Sequence, residues 1–172
     1  MSINIKELSK QIKKWSRRYL IWTLEDGIHY VSDRHVAFRF NELPKEVLIS
    51  LFSVFVRQPS EGRSLVMTPV GDEEKTAISM KSVFRDSEQF AIDGVVTKVV
   101  VNYEDYAHRV IQAGDYLVRV DEMYMKMANG EQVLCKGRHN PVLLCDGQML
   151  LLPIRISKDL DANTIHEVLS LL

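Results

Sequence analysis

YLIWTLEDGIHYVSDRHVAFRF, residues 19–40, is the stretch that decides the fold class. It divides into three short apolar segments, 19–25, 28–32 and 35–40, each of strand length and rich in β-branched and aromatic residues. Asp26-Gly27 separates the first two, and a two-residue Asp-Gly loop is a strong hairpin signal because both positions favour positive φ. In the third segment Val36, Phe38 and Phe40 alternate with Ala37 and Arg39, which predicts a sheet with one wet face.

Working outward toward the N-terminus, Ile5, Leu8, Ile12, Trp15 and Tyr19 recur at helical spacing and form one apolar stripe. Ser2 or Asn4 is placed to cap that helix. Its remaining surface carries Lys6, Lys10, Lys13, Lys14, Arg17 and Arg18, opposed only by Glu7. Like charges at i,i+4 repel, so a face of one sign is less common than a mixed one. It is either a solvated face or a surface for anions.

Working outward in the other direction, Pro44 opens a second helix running to about residue 56, with Val47, Leu48, Leu51, Phe52 and Phe55 as its apolar side. Lys45, Glu46, Ser50 and Ser53 are its polar residues, so it is expected to be buried or to lie at an interface. Residues 57–64 and 69–75 are expected to be exposed loops, with short strands at 65–68, 76–80 and 89–92. Asp93-Gly94 predicts a second hairpin into a β-branched run at 95–101. Asn102 then caps a helix in which Tyr103, Tyr106, Ala107, Val110 and Ile111 share a face, stopped by Gly114.

In the last third a strand at 115–120 leads to a short helix capped by Asp121 and ended by Asn129-Gly130. Strands follow at 131–136, 141–145 and 148–156, with Asp146-Gly147 as a hairpin turn, and a terminal helix carries Ile165, Val168, Leu169 and Leu172 on one side. Both ends of the chain thus run helix, strand, strand, strand, a duplication of architecture without a repeated residue motif. Separate runs of helix and of antiparallel hairpins argue for an α+β fold. Its antiparallel sheets are expected to carry their helices on one side.

With 172 residues the chain is long enough for one substantial core, and 22 basic against 23 acidic residues exclude a globally basic nucleic-acid binder. No apolar run reaches the length of a membrane span, and the N-terminal residues lack a signal-like apolar stretch, so no membrane association and a cytoplasmic location are expected. Cys135 and Cys145 offer no disulfide framework.

Chemistry is sparse. The glycines form neither GxGxxG nor GxxxxGK, and GxSxG and HExxH are absent from the sequence. Cys135, His139 and Cys145 lack CxxC spacing and a nearby fourth ligand, so two buried thiols are expected and no metal. Asp26, His29, Asp33 and His35 gather around the first hairpin, yet Asp26 and Asp33 are each accounted for by a turn, and the two histidines need not face the same way. Glu104 and His108 at i,i+4 read as a solvated pair. No nucleophile, base and orienting group come together, so a non-enzyme without cofactor is expected.

Two stretches carry a family resemblance. IHYVSDRHVAFRF (28–40), preceded by the amphipathic helix and a strand, resembles the "TDGHRLA"-type segment of the bacterial DNA polymerase sliding clamp, the β clamp family, with Ser32, Asp33, His35 and Ala37 as the nearest matches. From Tyr116 to Ile156, a strand, a helix containing Tyr124, a strand, PVLL (141–144), a hairpin and LLPIRI (151–156) are similar to the clamp's closing "PVL" and "MPMRL"-type strands. The resemblance implies a single α+β domain over 1–172, with clamp-like halves at 1–40 and 115–156, an insertion at 41–114 and a C-terminal helix at 159–172. It implies helices on a DNA-facing surface, where the six cations of the first helix would meet phosphate without reading sequence. It further implies a partner-peptide pocket involving Leu152, Pro153 and Ile154 near the final strand.

Three functions compete. The first is a non-catalytic clamp-related accessory protein of DNA metabolism, of a phage or mobile element, with double-stranded DNA or replication proteins as partners; an oligomer is compatible with it. The second is a protein-interaction module of the same fold without DNA binding, supported by the apolar helix at 45–56. Within that helix LISLF (48–52) resembles a clamp-binding peptide without its leading Gln, although a core helix explains it equally. The third is a small enzyme using Asp26, His29, Asp33 and His35.

Overall fold

The computed structural model describes residues 2–102, 105–130 and 132–155. Strand β1 (Ser2–Ile3) leads into helix α1 (Ile5–Trp15), followed by β2 (Leu20–Glu25), β3 (Ile28–Ser32) and β4 (Val36–Phe40). Next come α2 (Lys45–Phe55), the hairpin β5 (Arg63–Thr68) and β6 (Gly71–Thr76), and α3 (Met80–Glu88). Strands β7 (Ile92–Asn102), β8 (Ala107–Ala113) and β9 (Tyr116–Asp121) precede the one-turn helix α4 (Glu122–Met125). The described chain closes with β10 (Ala128–Asn129), β11 (Gln132–Cys135), β12 (Val142–Leu144) and β13 (Met149–Leu151). It is an α+β fold in which sheet predominates.

Eleven strands form one antiparallel sheet in the order β6-β5-β2-β3-β4-β13-β12-β11-β7-β8-β9, and β1 pairs with β10 separately. The seam is β4 against β13, where Phe38 faces Met149 and Val36 faces Leu151. Beyond β13 the chain crosses over: the Leu152 amide donates to the His35 carbonyl at 2.9 Å, and the Ile154 amide donates to the Arg119 carbonyl of β9 at 2.8 Å. That second bond brings β9, last in pairing order, back beside the start of its own half, so the C-terminal half of the sheet curls on itself.

Alternation along the strands makes a core on each face of the central strands, beside a smaller cluster of Val110 and Leu117 in β8 and β9. On one face Val31, Val36, Phe38, Leu144 and Leu151 pack with Leu8, Ile12 and Trp15 of α1, Val47, Leu51 and Phe55 of α2, and Tyr124 and Met125 of α4. On the other face Tyr30, Ala37, Leu143 and Leu150 receive Phe84 of α3. The expectation that all helices lie on one side therefore holds for α1, α2 and α4 and fails for α3. Phe84 is fully buried there, its ring 5.8 Å from that of Tyr30.

Strands β2, β3 and β4 match their predicted segments to within a residue, whereas the expected stripe of α1 outruns the helix by four residues and β1 has no counterpart among the predicted elements. Asp26 (φ 54°) and Gly27 (φ 72°) form the expected two-residue turn. Asn4, not Ser2, caps α1, because Ser2 is engaged opposite Asn129 in the β1–β10 pair. Tyr19 lies beyond the helix, which gives way to a turn after Trp15.

The middle needs five corrections. Of the strand expected at 89–92 only Ile92 is strand, since Gln89 and Phe90 form a turn with Phe90 at φ 59°. Residues 71–76, expected as loop, form β6, a charged edge strand whose residues are all exposed. The strand expected at 76–80 is instead the approach to α3, a helix that the i,i+4 pair Met80–Phe84 could have indicated. Gly94 lies inside β7 rather than in a turn. A side chain there would meet the Gln112 carbonyl oxygen at 2.9 Å, so glycine serves close strand approach. The helix expected after Asn102 is strand β8, bonded to β7 on one side and β9 on the other, with Gly114 (φ 55°) in the following turn.

Residues 41–114, expected as an insertion, are part of the same sheet. They supply β5 and β6 to one end of the sheet, and β7 and β8 to the other. Tyr103, Glu104, Glu131 and the expected helix at 159–172 lie outside the described residues. No helix among the described residues is long and apolar enough to cross a membrane.

Candidate nucleic-acid interface

Helix α1 owes its start to Asn4, whose side-chain oxygen accepts the Glu7 amide at 3.2 Å. Its N-terminal end is anchored to the far half of the chain, since the Asn4 amide donates to the Met127 carbonyl at 2.8 Å and its side-chain amide to the Lys126 carbonyl at 3.2 Å. Leu8 and Ile12 are fully buried and Trp15 nearly so, its ring 6.5 Å from that of Phe38. With the stripe held inward, Lys6, Lys10, Lys13, Lys14, Arg17 and Arg18 are all exposed.

Glu7 offsets little of this charge. Its carboxylate accepts from the Gln11 amide at 2.6 Å and lies 3.5 Å from Lys10, and those contacts, Gln11 first, hold its pKa below the usual carboxylate range. Among the described residues no carboxylate pairs with Lys6, Lys13, Lys14, Arg17 or Arg18. Lys13 and Lys14 occupy the last helical turn, where cations suit the negative end of the helix dipole.

At the C-terminal end of α1 the chain tightens through Arg17 amide to Lys14 carbonyl (3.2 Å) and Arg18 amide to Trp15 carbonyl (2.8 Å). Tyr19 follows, and across it lies Arg34 of the β3–β4 turn, its guanidinium carbon 3.4 Å from the Tyr19 ring centroid. Arg34 has φ 84°, a left-handed conformation uncommon outside glycine. The sequence pattern places Tyr19 on the apolar stripe and gives Arg34 no role, because only the strand register brings them opposite each other.

The four residues grouped around the first hairpin separate into two sites. Asp26 pairs with Lys81 at the β2–β3 turn, and His29 accepts the Trp22 indole N–H on Nδ1 at 3.2 Å. Burial lowers the His29 pKa, with Glu61 opposing in part. Asp33 and His35 lie at the other end of β3, about 20 Å of extended chain from Asp26. There Asp33 Oδ1 accepts the His35 and Val36 amides at 2.9 and 3.0 Å, and Oδ2 accepts the Tyr124 hydroxyl at 2.6 Å. Burial and the Asp33 carboxylate push the Tyr124 phenol far above its ordinary pKa. Asp33 is thus a buried tie between the β3–β4 turn and α4, and the pairwise distances needed for a shared acid–base site are missing.

Leu152, Pro153 and Ile154, expected within a final strand at 148–156, lie beyond β13, which ends at Leu151; they form the crossing from β4 to β9 and are partly exposed. The helix expected to cover them lies outside the described residues. A cavity of about 230 Å³ opens elsewhere, at the β7–β8 bulge, lined by Thr97, Lys98, Arg109, Glu122 and Lys126 among others. Arg109 donates to both Glu122 carboxylate oxygens at 2.7 and 2.5 Å and to the Thr97 carbonyl at 3.1 Å, which occupies its guanidinium. Cys135 and Cys145 are buried, their thiols pushed up to about 12 and about 11, while His139 is exposed. Among the described residues no three His, Cys, Asp or Glu side chains are gathered to hold a metal.

No protein-family model, no curated protein and no solved structure matches this chain, so its function is argued from its own residues.

Proposed function

We propose that this chain is a non-catalytic accessory protein of DNA metabolism, related to the sliding clamps, that holds double-stranded DNA through the outer face of α1 without reading its sequence. One observation carries the proposal. Six cations stand exposed on one helix and its C-terminal turn, and Lys10 alone among them has a carboxylate within ion-pair reach among the described residues. Such a face bears the repulsion of like charges at i,i+4 spacing, and phosphates relieve it. The chain order of a helix followed by strands at each end, with β4 and β13 meeting at the seam, agrees with a clamp-like pair of units. Replication proteins are the partners such an accessory would bring to DNA, and Leu152, Pro153 and Ile154 are the surface assigned to them.

The test is fluorescence anisotropy on a labelled duplex across a salt series. One rigid helix engages about three of six cations, so log affinity should fall against log salt with a slope of about −2 to −3. Lys10→Glu, Lys13→Glu and Arg17→Glu together should abolish binding and leave the thermal midpoint nearly unchanged, since exposed charges contribute little to stability. Absence of binding by the wild-type protein at low salt would sink the proposal. The interaction-module alternative would then take its place, favoured by Ile49, Phe52 and Val56, which stand exposed on α2 and its C-cap.

A further inference from the structure

We infer that Arg34, stacked on Tyr19, is a preorganised phosphate fork that extends the cationic face of α1 onto the β3–β4 turn. The inference rests on the DNA-binding function proposed above and adds a residue from a different element to that surface. The β2–β3 register pairs Ile21 with Ser32, and continuing it by two residues sets Tyr19 opposite Arg34. Tyr19 directly follows Arg17 and Arg18, and its amide bonds the Trp15 carbonyl at 2.8 Å, which fixes the ring against the end of α1. The guanidinium carbon lies 3.4 Å from the ring centroid, so the ring covers one side of the cation, while Arg34 as a whole remains exposed and its guanidinium carries N–H donors in a planar fork. A fork held in that way matches two oxygens of one phosphate.

Among the described residues no side-chain hydrogen bond or ion pair uses those donors. Arg34 has no carboxylate partner among the described residues, and the nearby Lys75 is itself paired with Glu73 at 2.6 Å. The turn is also built to hold the residue where it is. Ser32 Oγ accepts the Arg34 amide at 3.1 Å, and Asp33, buried and tied to Tyr124, accepts the next two amides. Arg34 keeps φ 84° in a position glycine would fill with less strain, so its side chain and not its backbone accounts for an arginine there.

The experiment is the same anisotropy titration with Arg34→Gly, Arg34→Lys, Tyr19→Leu and Tyr19→Phe. Arg34→Gly should bind about five- to tenfold more weakly, with a salt slope shallower by about 0.9 and a thermal midpoint equal to or above wild type. Arg34→Lys keeps the charge without the fork and should fall between. Tyr19→Leu should weaken binding two- to threefold by releasing the fork, and Tyr19→Phe should restore it, which marks Tyr19 as a positioning residue. Wild-type affinity and slope in Arg34→Gly, alongside loss of binding in the triple glutamate variant, would overturn this inference and leave the function of α1 standing. Absence of binding by the unmodified protein would overturn both. Should Arg34→Gly fold poorly, Arg34→Lys and the two Tyr19 variants decide the matter alone.

Discussion

Helices α1 and α2 are the same length, 11 residues each, pack against one another and bury equivalent stripes in the same core, yet their outward faces are chemically opposite. α1 presents six cations with its C-terminal turn, whereas α2 leaves Ile49 58% and the capping Val56 82% exposed. Their anchoring differs as well. α1 begins on the C-terminal half through Asn4 and Met127, while α2 packs over the N-terminal half, where Phe52 and Phe55 meet Trp22. The fold therefore asks of each helix only its inner stripe. What the outer face carries is left to function, and two faces of opposite chemistry are suited to different partners.

Equal inner stripes should respond equally. Leu8→Ala in α1 and Leu51→Ala in α2, both fully buried, should each cost about 2–5 kcal/mol in urea unfolding. A cost well under 1 kcal/mol at either site would break the equivalence. Next in size is the tie that belongs to α1's side alone. Tyr124→Phe leaves the buried Asp33 carboxylate without its 2.6 Å donor and should cost about 1–3 kcal/mol, measured in the same way.

Val56 sharpens the contrast in the other direction. It caps α2 at φ 63°, where a β-branched residue is strained, so Val56→Gly should raise stability by about 0.5–1 kcal/mol and raise the thermal midpoint. A destabilised variant would mean that the exposed valine has a structural partner. The smallest effect concerns pH. Burial holds His29, beside Trp22 under α2, below its ordinary 6.5, so the unfolded chain takes up the proton first as pH falls. Stability should then decline as pH drops below about 6.5, through protonation that forfeits the indole hydrogen bond, and part of the decline should vanish in His29→Gln. His108, also lowered by burial and by the neighbouring Arg119, acts in the same direction in both proteins.

Legibility followed the locality of the signal. In residues 2–40 the helix period, the Asp26-Gly27 turn and the alternation of Val36, Phe38 and Phe40 all act within a few residues, and α1, β2, β3 and β4 formed where these signals lie, although the sheet face expected to be wet is covered at Tyr30 and Ala37 by Phe84 of α3. In residues 90–114 the same symbols misled. Asp93-Gly94 has hairpin composition, but Gly94 answers to the carbonyl of Gln112 on the neighbouring strand. The run Ala107–Ala113 carries helix-compatible apolar spacing, but pairing on both sides makes it strand. Of the candidate site, the six cations of α1 and its turn were visible because a helical stripe assigns its opposite face to solvent.

Sequence alone was enough for the α+β class, the outward cations and most of the inner stripes, Leu8, Ile12 and Trp15 of α1 and Val47, Leu51 and Phe55 of α2, since period and the transfer of apolar side chains out of water decide these. It was not enough for Phe52, which is exposed, or Ser50, which is buried. Tertiary structure alone decided that residues 41–114 serve both ends of one sheet, that α3 covers the opposite face, and that Asp26 and Asp33 stand apart along β3. It also decided that Tyr19 and Arg34 meet. Each of these depends on strand register and on contacts between distant residues, whose closure cost is met only when the whole sheet forms, and no local pattern encodes that.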